Sequence, residues 1–244
     1  GSCFYYNYNP NAVKTFVPDN SFESYLENNG MGDGIIGNDS VCTSNIDSVE
    51  TLILFGLSIQ NLYGIEDFSS LKVLSLQNMS NLYVLDLSNN IMLENLSIIN
   101  LSSISSLYVS DNIALTSLFI ESVPLTTIYL DGAISLANLH IDGSSSNLCD
   151  LAILNLTTNI NLKSVTITNL HLLGNINVNS DSLRSFVYTN NSATNSINIS
   201  GSLLDSTVSI YNNNLLSSLD LSNTQAKIVH VTNNSNLTSI DFTN

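Results

Sequence analysis

The sequence predicts a mainly β fold: a right-handed solenoid with parallel strands on two faces and a small N-terminal cap that contains a short helix. Three observations favour this fold. One apolar phrase recurs every 10 or 11 residues along most of the chain. The core of each phrase alternates apolar and polar residues, as a half-buried strand does. A small polar residue, most often Asn, follows each core at a fixed distance.

The phrase is clearest between residues 82 and 112. Leu82-x-x-Leu85-x-Leu87-x-Asn89 is followed by copies that begin at Leu93 and Ile104. Longer steps flank Cys149, and an earlier partial copy begins at Val49. Self-similarity over such a length is typical of repeat architectures. The sixteen copies in residues 71–244 begin at Leu71, Leu82, Leu93, Ile104, Leu115, Leu125, Leu136, Leu148, Leu162, Leu173, Leu183, Thr194, Asp205, Leu216, Ala226 and Leu237.

The fourth position after the first apolar residue of each strand predicts the corners of the solenoid. An inward Asn amide donates to and accepts from peptide groups that a tight bend leaves unpaired, so we expect stacked amides inside the corners. Gly and Asp suit the same bend through their tolerance of unusual backbone angles. These positions are Asn78, Asn89, Asn100, Asp111, Ser122, Gly132, Gly143, Asn155, Asn169, Ser180, Asn190, Gly201, Asn212, Asn223, Asn233 and Asn244.

The same pattern excludes a helical repeat. No 3.6-residue stripe persists, and Asn, Ser, Thr and Ile are poor helix formers. Two units therefore form one coil, with a strand and a corner on each side. Parallel strands stack about 4.8 Å apart, so about nine coils give a rod of roughly 40 Å.

Three segments are expected: residues 1–14 as a tag remnant and flexible lead, residues 15–48 as an N-terminal cap, and residues 49–244 as the solenoid. Within the cap, Asp19 or Asn20 can cap a short helix that ends at Gly30. The cap covers the first coil, whose open sheet end would otherwise invite association. The apolar residues of its helix are Phe22, Tyr25 and Leu26.

Charge excludes several classes of partner. Five Lys and Arg residues stand against 20 Asp and Glu residues, which gives a net charge of −15. Nucleic acid and anionic membranes are repelled, because both bind clustered Lys and Arg. No run of about 18 apolar residues predicts insertion into a membrane. The low positive charge and the coat of Asn, Ser and Thr favour a secreted or cell-surface bacterial protein.

Three cysteines, Cys3, Cys42 and Cys149, are too few for a disulfide scaffold. Cys3 and Cys42 both precede the repeats, and they either pair in an oxidising compartment or remain free thiols. Gly1 and Ser2 are typical of a cloning remnant, so we expect that the natural N-terminus has been removed. Cys3 beside them is alternatively a former lipoprotein cysteine.

The nested phrase resembles a known family. Its alternating 10- and 11-residue units are similar to the IRREKO subclass of bacterial leucine-rich repeats, which implies a leucine-rich-repeat solenoid over residues 71–244. The stretch SVETLILFGLSIQNLYGIEDFSSLKVLSLQN, residues 48–78, resembles the longer internalin-type repeat. Residues 15–46 resemble the N-terminal cap of secreted leucine-rich-repeat proteins from Bacteroidetes. The resemblance implies a secreted binding protein.

One residue of each strand points outward between two inward apolar residues. If the coils stack in register, these outward residues form one row on each face. Counted from the repeat at Leu71, the odd-numbered repeats supply the odd row and the even-numbered repeats supply the even row. The odd row contains Ser75, Ser97, Phe119, His140, Thr166, Val187, Ser209 and His230. The even row contains Asp86, Tyr108, Tyr129, Ala152, Asn177, Asn198, Asp220 and Asp241.

The even row carries the first candidate binding site. Tyr108 is expected to lie above Tyr129, with Asp131 beside them and Asp86 one coil away. Exposed aromatic rings beside carboxylates suit a sugar ring or a protein loop. Stacked tyrosines also stabilise a sheet without any ligand, and that alternative stays open.

The odd row carries a second candidate site. Phe119 and His140 are expected to be neighbours, with Glu121 and Asp142 on their flank. This patch offers a ring, an imidazole and two carboxylates to the same classes of ligand.

Catalytic chemistry finds little support in the sequence. His140 and His230 share a face but lie four coils apart, roughly 19 Å by the strand spacing, which is too far to hold one metal ion. Cys149 lacks a nearby base that would make it a nucleophile. We therefore expect no catalytic residue, no metal site and no cofactor. Residues 32–39 offer oxygen ligands for calcium, but Asp-Gly is commonly only a turn.

These patterns together predict a non-enzymatic binding module, extracellular or at a cell surface, that recognises protein or glycan through its exposed faces. The alternative is a structural spacer or stalk of a larger secreted protein, with no ligand of its own.

Overall fold

The computed structural model describes residues 12–144, 149–202 and 204–243 of the chain. They form a parallel β-solenoid of about eight turns with a short N-terminal helix, which confirms the predicted fold class. The odd repeats supply the strands of one long sheet, which we call the main face. The even repeats supply a second face of shorter extended segments.

The main face is one nine-stranded sheet in which successive coils are neighbours. Its strands pair in parallel and in register, so that Ser97 lies beside Phe119 and Phe119 lies beside His140. The second and fourth residues of each strand face the core, and the third faces outward, as in Thr51–Phe55. The other strands are Val73–Gln77, Asn95–Ile99, Ser117–Glu121, Asn138–Asp142, Ser164–Thr168, Ser185–Thr189, Thr207–Tyr211 and Ile228–Thr232.

The second face is a discontinuous ladder. Ser106–Tyr108 pairs with Thr127–Tyr129 in one short sheet. A separate four-stranded sheet contains Ile176–Asn177, Ser196–Asn198, Ser218–Asp220 and Ser239–Asp241. Isolated parallel bridges join Asn61 to Val84 and Leu156 to Val178. The pairing confirms the predicted neighbours Tyr108 and Tyr129, and the row from Asn177 to Asp241.

The inward apolar residues of both faces form one hydrophobic cluster that continues from the cap into the coils. Leu74 and Leu76 of the main face and Leu87 of the second face are fully buried in it. Burial of one such side chain stabilises the fold by about 1.5–3 kcal/mol. The repeated leucines are therefore the scaffold of the molecule.

The prediction that the fourth-position residues are the inward corner amides is wrong. On the second face Asn89 is exposed and Asn90 is buried. On the main face most fourth-position residues adopt a left-handed φ, for example 59° at Asn190, and bend the chain so that the next residue faces the core. The buried amides lie one position later in their repeats, at Asn191 and Asn213 after left-handed residues of the main face and at Asn90, Asn112 and Asn159 on the second face.

Each inward amide bonds backbone groups of an adjacent coil. Asn112 Nδ2 donates to the carbonyl oxygens of Leu87 at 2.9 Å and Asn90 at 3.0 Å. Asn191 Nδ2 donates to Ile167 O at 3.0 Å, and its Oδ1 accepts the N–H of Leu170 at 2.9 Å. These bonds satisfy peptide groups that the bends would otherwise bury unpaired.

A second amide ladder runs along the outer edge of the main face, at the left-handed positions. Asn100 Nδ2 donates to Asn78 Oδ1 at 2.9 Å. A longer run begins at Asp142, which accepts from Asn169, and each later amide donates to the one before it. Its donors are Asn169, Asn190, Asn212 and Asn233, with distances of 2.8, 2.9, 2.9 and 3.0 Å.

The repeat that was predicted to begin at Leu148 begins at Leu151 instead. The bridge between Leu156 and Val178 fixes this register. Leu148 itself lies outside the described residues. The error arose because Leu148-x-x-Leu151-x-Ile153 imitates the phrase, but Ile153 is 80% exposed and cannot be an inward residue. The extra residues of this region therefore fall in a single longer step before Leu151.

The corrected register changes one member of the even row. Gly174 N–H donates to Ala152 O at 3.0 Å, which aligns these two residues one coil apart. Asn155 therefore aligns with Asn177 and occupies the place that was predicted for Ala152. Asn159 is the buried corner amide of this coil.

The N-terminal cap contains one antiparallel strand pair and two helices. Lys14–Phe16 pairs antiparallel with Ser40–Cys42. The helices span Asn20–Asn28 and Thr43–Ile46, and a 3₁₀ turn follows at Ile65–Asp67. Cys42 is disulfide-bonded, and Cys3, which the sequence allows either to pair with it or to remain free, lies outside the described residues. No helix in residues 12–144, 149–202 and 204–243 is both long and apolar enough to cross a membrane.

Asp19 anchors the cap through both oxygens of its carboxylate. One oxygen accepts the N–H groups of Ser21 and Phe22, both at 3.0 Å, so Asp19 is the N-cap of the helix. It is one of the two residues that the sequence predicted for this role. The other oxygen accepts the N–H of Gln60 at 2.7 Å, in the first coil. The cap is therefore bonded to the solenoid that it covers.

The loop proposed for calcium is organised by carboxylates. Glu23 accepts the N–H groups of Gly37 and Asn38 at 2.9 Å each. Asp33 forms an ion pair with Lys14 and accepts from Asn38 Nδ2 at 3.0 Å. Burial opposes ionisation of Asp33, but the Lys14 ammonium and these N–H donors hold the pKa of the carboxyl below its usual value. The Asp33 oxygens thus have protein partners already.

We predict that Asn191→Ala lowers the free energy of unfolding by about 1–3 kcal/mol, because it leaves the Leu170 N–H buried without a partner and removes the amide donor to the Ile167 carbonyl. Its sequence neighbour Asn190 provides a matched control. Asn190→Gly keeps the left-handed turn and removes only outer ladder bonds, so we expect a loss of about 1 kcal/mol or less. Urea denaturation of both variants measures the difference, and equal losses would contradict the inward role.

We also predict an acid-sensitive contribution from Asp33. Because the pKa of this carboxyl is lower in the folded than in the unfolded chain, its stabilisation is present above about pH 5 and is lost as the pH falls through about 4 and below. Asp33→Asn should therefore flatten the pH dependence of the urea midpoint between pH 5 and pH 3. The exposed Asp181→Asn variant controls for the loss of one charge and should keep the wild-type slope.

Candidate functional site

The second face carries a row of outward side chains in the first half of the solenoid. The bridge between Asn61 and Val84 aligns Tyr63 with Asp86, two residues further along each segment. Tyr108 and Tyr129 continue the row, followed by Asn155 in the corrected register. Three of these five side chains are tyrosines, so the row is richer in aromatic rings than the sequence analysis predicted.

Tyr63 was missed because its coil does not follow the repeated phrase. The segment Asn61-Leu62-Tyr63-Gly64 ends in a glycine with φ of 98°, after which the chain enters the 3₁₀ turn. Leu62 is buried and Tyr63 is 52% exposed, and this alternation of inward and outward residues was the available signal.

Tyr108 and Tyr129 form an exposed aromatic stack. Their strands pair in register, and the ring centroids lie 4.6 Å apart with an interplanar angle of 11°. Tyr108 is 54% exposed and Tyr129 is 43% exposed. One face of each ring is thus covered by the other ring, and each residue still exposes about half of its surface.

Carboxylates flank the tyrosines. Asp86 Oδ1 accepts the N–H of Ser88 at 3.0 Å, and the hydrogen bonds from Ser88 lower the pKa of Asp86 below its usual value. Asp131, two residues after Tyr129, accepts a hydrogen bond from Asn155 Nδ2 at 3.2 Å. Asn155 is the residue that follows Tyr129 in the row. The structure therefore brings Asp86, Tyr108, Tyr129 and Asp131 together on one face, as the sequence predicted.

A groove of about 610 Å³ opens between the coil of Asp86 and the coil of Tyr108. It coincides with the break in the second-face ladder, since within residues 12–144 no backbone hydrogen bond joins residues 82–88 to residues 104–109. A smaller hollow lies on the other side of Asp86, beside Tyr63 and Glu66. The groove is lined by Tyr83, Val84, Leu85, Asp86, Ser88, Ser105, Ser106, Tyr108 and Asp111.

The cations of the chain lie elsewhere. Lys72, Lys163, Arg184 and Lys227 each directly precede a strand of the main face and so share one edge of that sheet. Lys72 pairs with Glu50 at 2.7 Å and Arg184 pairs with Asp205 at 2.6 Å. The fifth cation, Lys14, is in the cap. The second-face row is consequently acidic and aromatic, with no Lys or Arg among the residues that line its groove.

Phe119 and His140 form a separate stack on the main face. Their ring centroids lie 4.3 Å apart, with the planes 3° from parallel. Asp142 flanks them, and it accepts from Asn169 Nδ2 and from the Ser144 N–H, both at 2.8 Å. Burial opposes ionisation of Asp142, but these donors hold its pKa below the usual value. The two candidate patches lie on different sheets and do not form one site.

The groups considered for catalysis are dispersed. His140 and His230 are separated by four steps of the strand ladder, as predicted. Cys149 is buried, its Sγ donates to Leu125 O at 3.6 Å, and burial raises the pKa of the thiol. Within residues 12–144, 149–202 and 204–243, no group of three or more His, Cys, Asp or Glu side chains could hold a metal ion.

Comparison with known proteins gives structural neighbours only. No protein-family model and no curated protein sequence matches the chain. An internalin (inlF) from Listeria monocytogenes is 18% identical, with a TM-score of 0.47, over 94% of this chain and 83% of that chain. Internalin C2 (inlC2) from the same species is 16% identical, with a TM-score of 0.41, over 95% and 99%.

The functional domain of InlJ from Listeria monocytogenes is a further structural neighbour. It is 15% identical with a TM-score of 0.39, and the match covers 94% of this chain and 64% of that chain. All three neighbours are leucine-rich-repeat proteins, the class that the repeated phrase resembles.

We predict that the Tyr108–Tyr129 stack contributes a measurable coupling energy. Stacked aromatic pairs add about 0.5–1.5 kcal/mol beyond their buried area. A double-mutant cycle with Tyr108→Ala, Tyr129→Ala and the double variant, followed by urea denaturation, should give a coupling in this range. Strictly additive losses would show that the rings do not support each other in solution.

Proposed function

We propose that this chain is a non-enzymatic binding module, extracellular or at a cell surface, and that the second-face row of tyrosines and carboxylates is its recognition surface. The exposed Tyr108–Tyr129 stack beside an open groove carries the proposal. Large aromatic side chains that remain exposed beside a concave surface are typical of interaction sites, because their burial by a partner gives a large free-energy gain per side chain. Protein and glycan are both ligands of this kind.

The repeats and the cap support the extracellular part of the proposal by analogy. We propose that the nested units are of the IRREKO type and that the cap is of the kind found in secreted Bacteroidetes proteins. The chemistry agrees with this setting: Cys42 is disulfide-bonded, which is typical of oxidising compartments. The net charge of −15 also disfavours nucleic acid as a partner.

A structural spacer is the second candidate, and one observation favours it. The nine-stranded sheet, the continuous core and the outer amide ladder make a rod in which each coil is bonded to the next. Such a rod separates two attached parts of a protein without any ligand of its own.

Binding of labelled protein to a glycan array and to an array of purified extracellular proteins tests the two candidates. The Tyr108→Ala and Tyr129→Ala variants should lose at least about 10-fold in affinity for any ligand found, which corresponds to about 1.4 kcal/mol. Tyr211→Ala, a tyrosine variant on the main face, is the matched control and should bind as the wild type does. Circular dichroism spectra should be unchanged in all three.

Three results would change the assignment. Loss of binding in Phe119→Ala and His140→Ala alone would move the site to the main face. Equal loss in Tyr211→Ala and Tyr108→Ala would exclude a defined aromatic site. Absence of any ligand on both arrays would favour the spacer.

A further inference from the structure

We propose that the groove between residues 83–88 and 105–111 binds an arginine or lysine side chain of a basic protein segment, with Tyr108 as the platform for the cation. This inference rests on the proposed function of the second face and specifies its ligand. Asp86 and Asp111, one on each wall of the groove, are the counter-charges.

The first support is the free face of Tyr108. Tyr129 covers one side of the ring. The neighbouring coil on the other side presents Asp86 at the equivalent position, and the groove that opens there is also lined by Tyr83. A guanidinium or ammonium group above a tyrosine face is stabilised by the ring quadrupole, and a nearby carboxylate adds an ion pair.

The second support is the chemistry of the groove wall, which offers mainly acceptors. The carboxylates of Asp86 and Asp111 only accept hydrogen bonds when ionised, and serine hydroxyls accept as well as donate. No side-chain N–H lies among the lining residues. Guanidinium is the complementary group, because it has five N–H donors and no acceptor. A pyranose carries acceptor oxygens as well, for which the side chains of this wall provide only hydroxyl donors.

The missing backbone ladder leaves carbonyl acceptors at the groove, together with N–H donors. Ser105 O and Val109 N–H bond toward the strand Thr127–Tyr129, at 2.8 Å to Thr126 N and 3.1 Å to Tyr129 O. Successive residues of a parallel strand direct their backbone groups to opposite sides. Ser106 and Tyr108 therefore direct both their carbonyl and their N–H groups toward the groove, where residues 82–88 do not pair with them.

The third support is the distribution of charge. The chain carries a net charge of −15, and its Lys and Arg residues outside the cap lie along one edge of the main face. The hydrogen bonds from Ser88 lower the pKa of Asp86 below its usual value, so this carboxylate contributes a negative charge to the face. A positively charged segment is attracted to this face, while anionic sugars and phosphorylated ligands are repelled.

Isothermal titration of the whole chain with a capped hexa-arginine peptide tests the inference. The matched neutral probe is hexa-citrulline, which keeps the shape of the side chains and removes their charge. We expect hexa-arginine to bind and hexa-citrulline to bind at least about 10-fold more weakly. Tyr108→Ala should weaken hexa-arginine binding by about 3- to 30-fold, the range of a cation–π contact. Asp86→Asn should weaken it by about 3- to 10-fold, and it retains an acceptor for the Ser88 N–H.

Asp181→Asn is the charge control, because Asp181 is exposed and lies three coils from Tyr108 along the second face. It should stay within about twofold of the wild type. If Asp181→Asn weakens binding as much as Asp86→Asn does, the peptide binds through net charge alone and the inference fails. Unchanged affinity in Tyr108→Ala also overturns it.

Neutral oligosaccharides separate this inference from the proposed function. Cellohexaose and chitohexaose are titrated against the same variants. If either binds and Tyr108→Ala abolishes that binding while hexa-arginine does not bind the groove, the second face is a recognition surface for glycan and only the cationic ligand is wrong. If no probe responds to Tyr108→Ala, both the inference and the proposed site fail.

Discussion

Every coil of this solenoid turns the chain twice while burying the turning backbone, and this constraint governs the rest of the structure. Peptide groups inside a bend need partners, because an unpaired buried group costs about 1–3 kcal/mol. Asn supplies a donor on a short side chain, and at Asn191 the amide oxygen accepts as well. Asn112 and Asn191 show the solution, since each bonds backbone groups of a neighbouring coil. With the coils fixed in this way, outward residues align into rows.

The groove depends on the same corner. The coils of Asp86 and Tyr108 lack backbone bonds across the second face, yet they remain attached at both ends of the gap. Asn112 donates to Leu87 O and Asn90 O on one side. Ser103 Oγ donates to Ser80 O at 2.7 Å on the other side. Because these bonds hold both walls, the groove is a preformed feature. Ligand binding therefore carries only a small entropic cost for ordering the protein.

The sequence predicted the parts of the fold that repetition encodes and failed where a single coil departs from it. Alternating leucines were sufficient to place Tyr108 beside Tyr129 and Phe119 beside His140. On the main face the inward amide was placed one residue early, because the left-handed turn at positions such as Asn190 is a backbone property that the letter Asn does not distinguish from an inward corner. Leu148 was taken as the first residue of its repeat in place of Leu151, because both residues fit the spacing of the phrase.

The repeated phrase could not predict the groove or the position of Tyr63, for a related reason. A strand pairs with its neighbour through backbone groups, so the loss of pairing between residues 82–88 and 104–109 leaves no mark on the apolar pattern. Tyr63 lies in the first coil, where the chain turns through Gly64 and a 3₁₀ segment instead of a repeated corner. In both cases the functional candidates arise where local structure differs from the consensus.

The corner amides also change sides along the rod, and this limits how the molecule can be shortened. In the first half Asn90, Asn112 and Asn159 follow the second face, whereas main-face corners there hold apolar residues such as Leu101. In the second half Asn191 and Asn213 follow the main face. The two arrangements meet on the main face, where Asn191 Oδ1 accepts the N–H of Leu170 at 2.9 Å. A deletion that shortens the rod must keep this contact between an amide corner and an apolar corner, so the molecule consists of two blocks joined at one place and not of one uniform series.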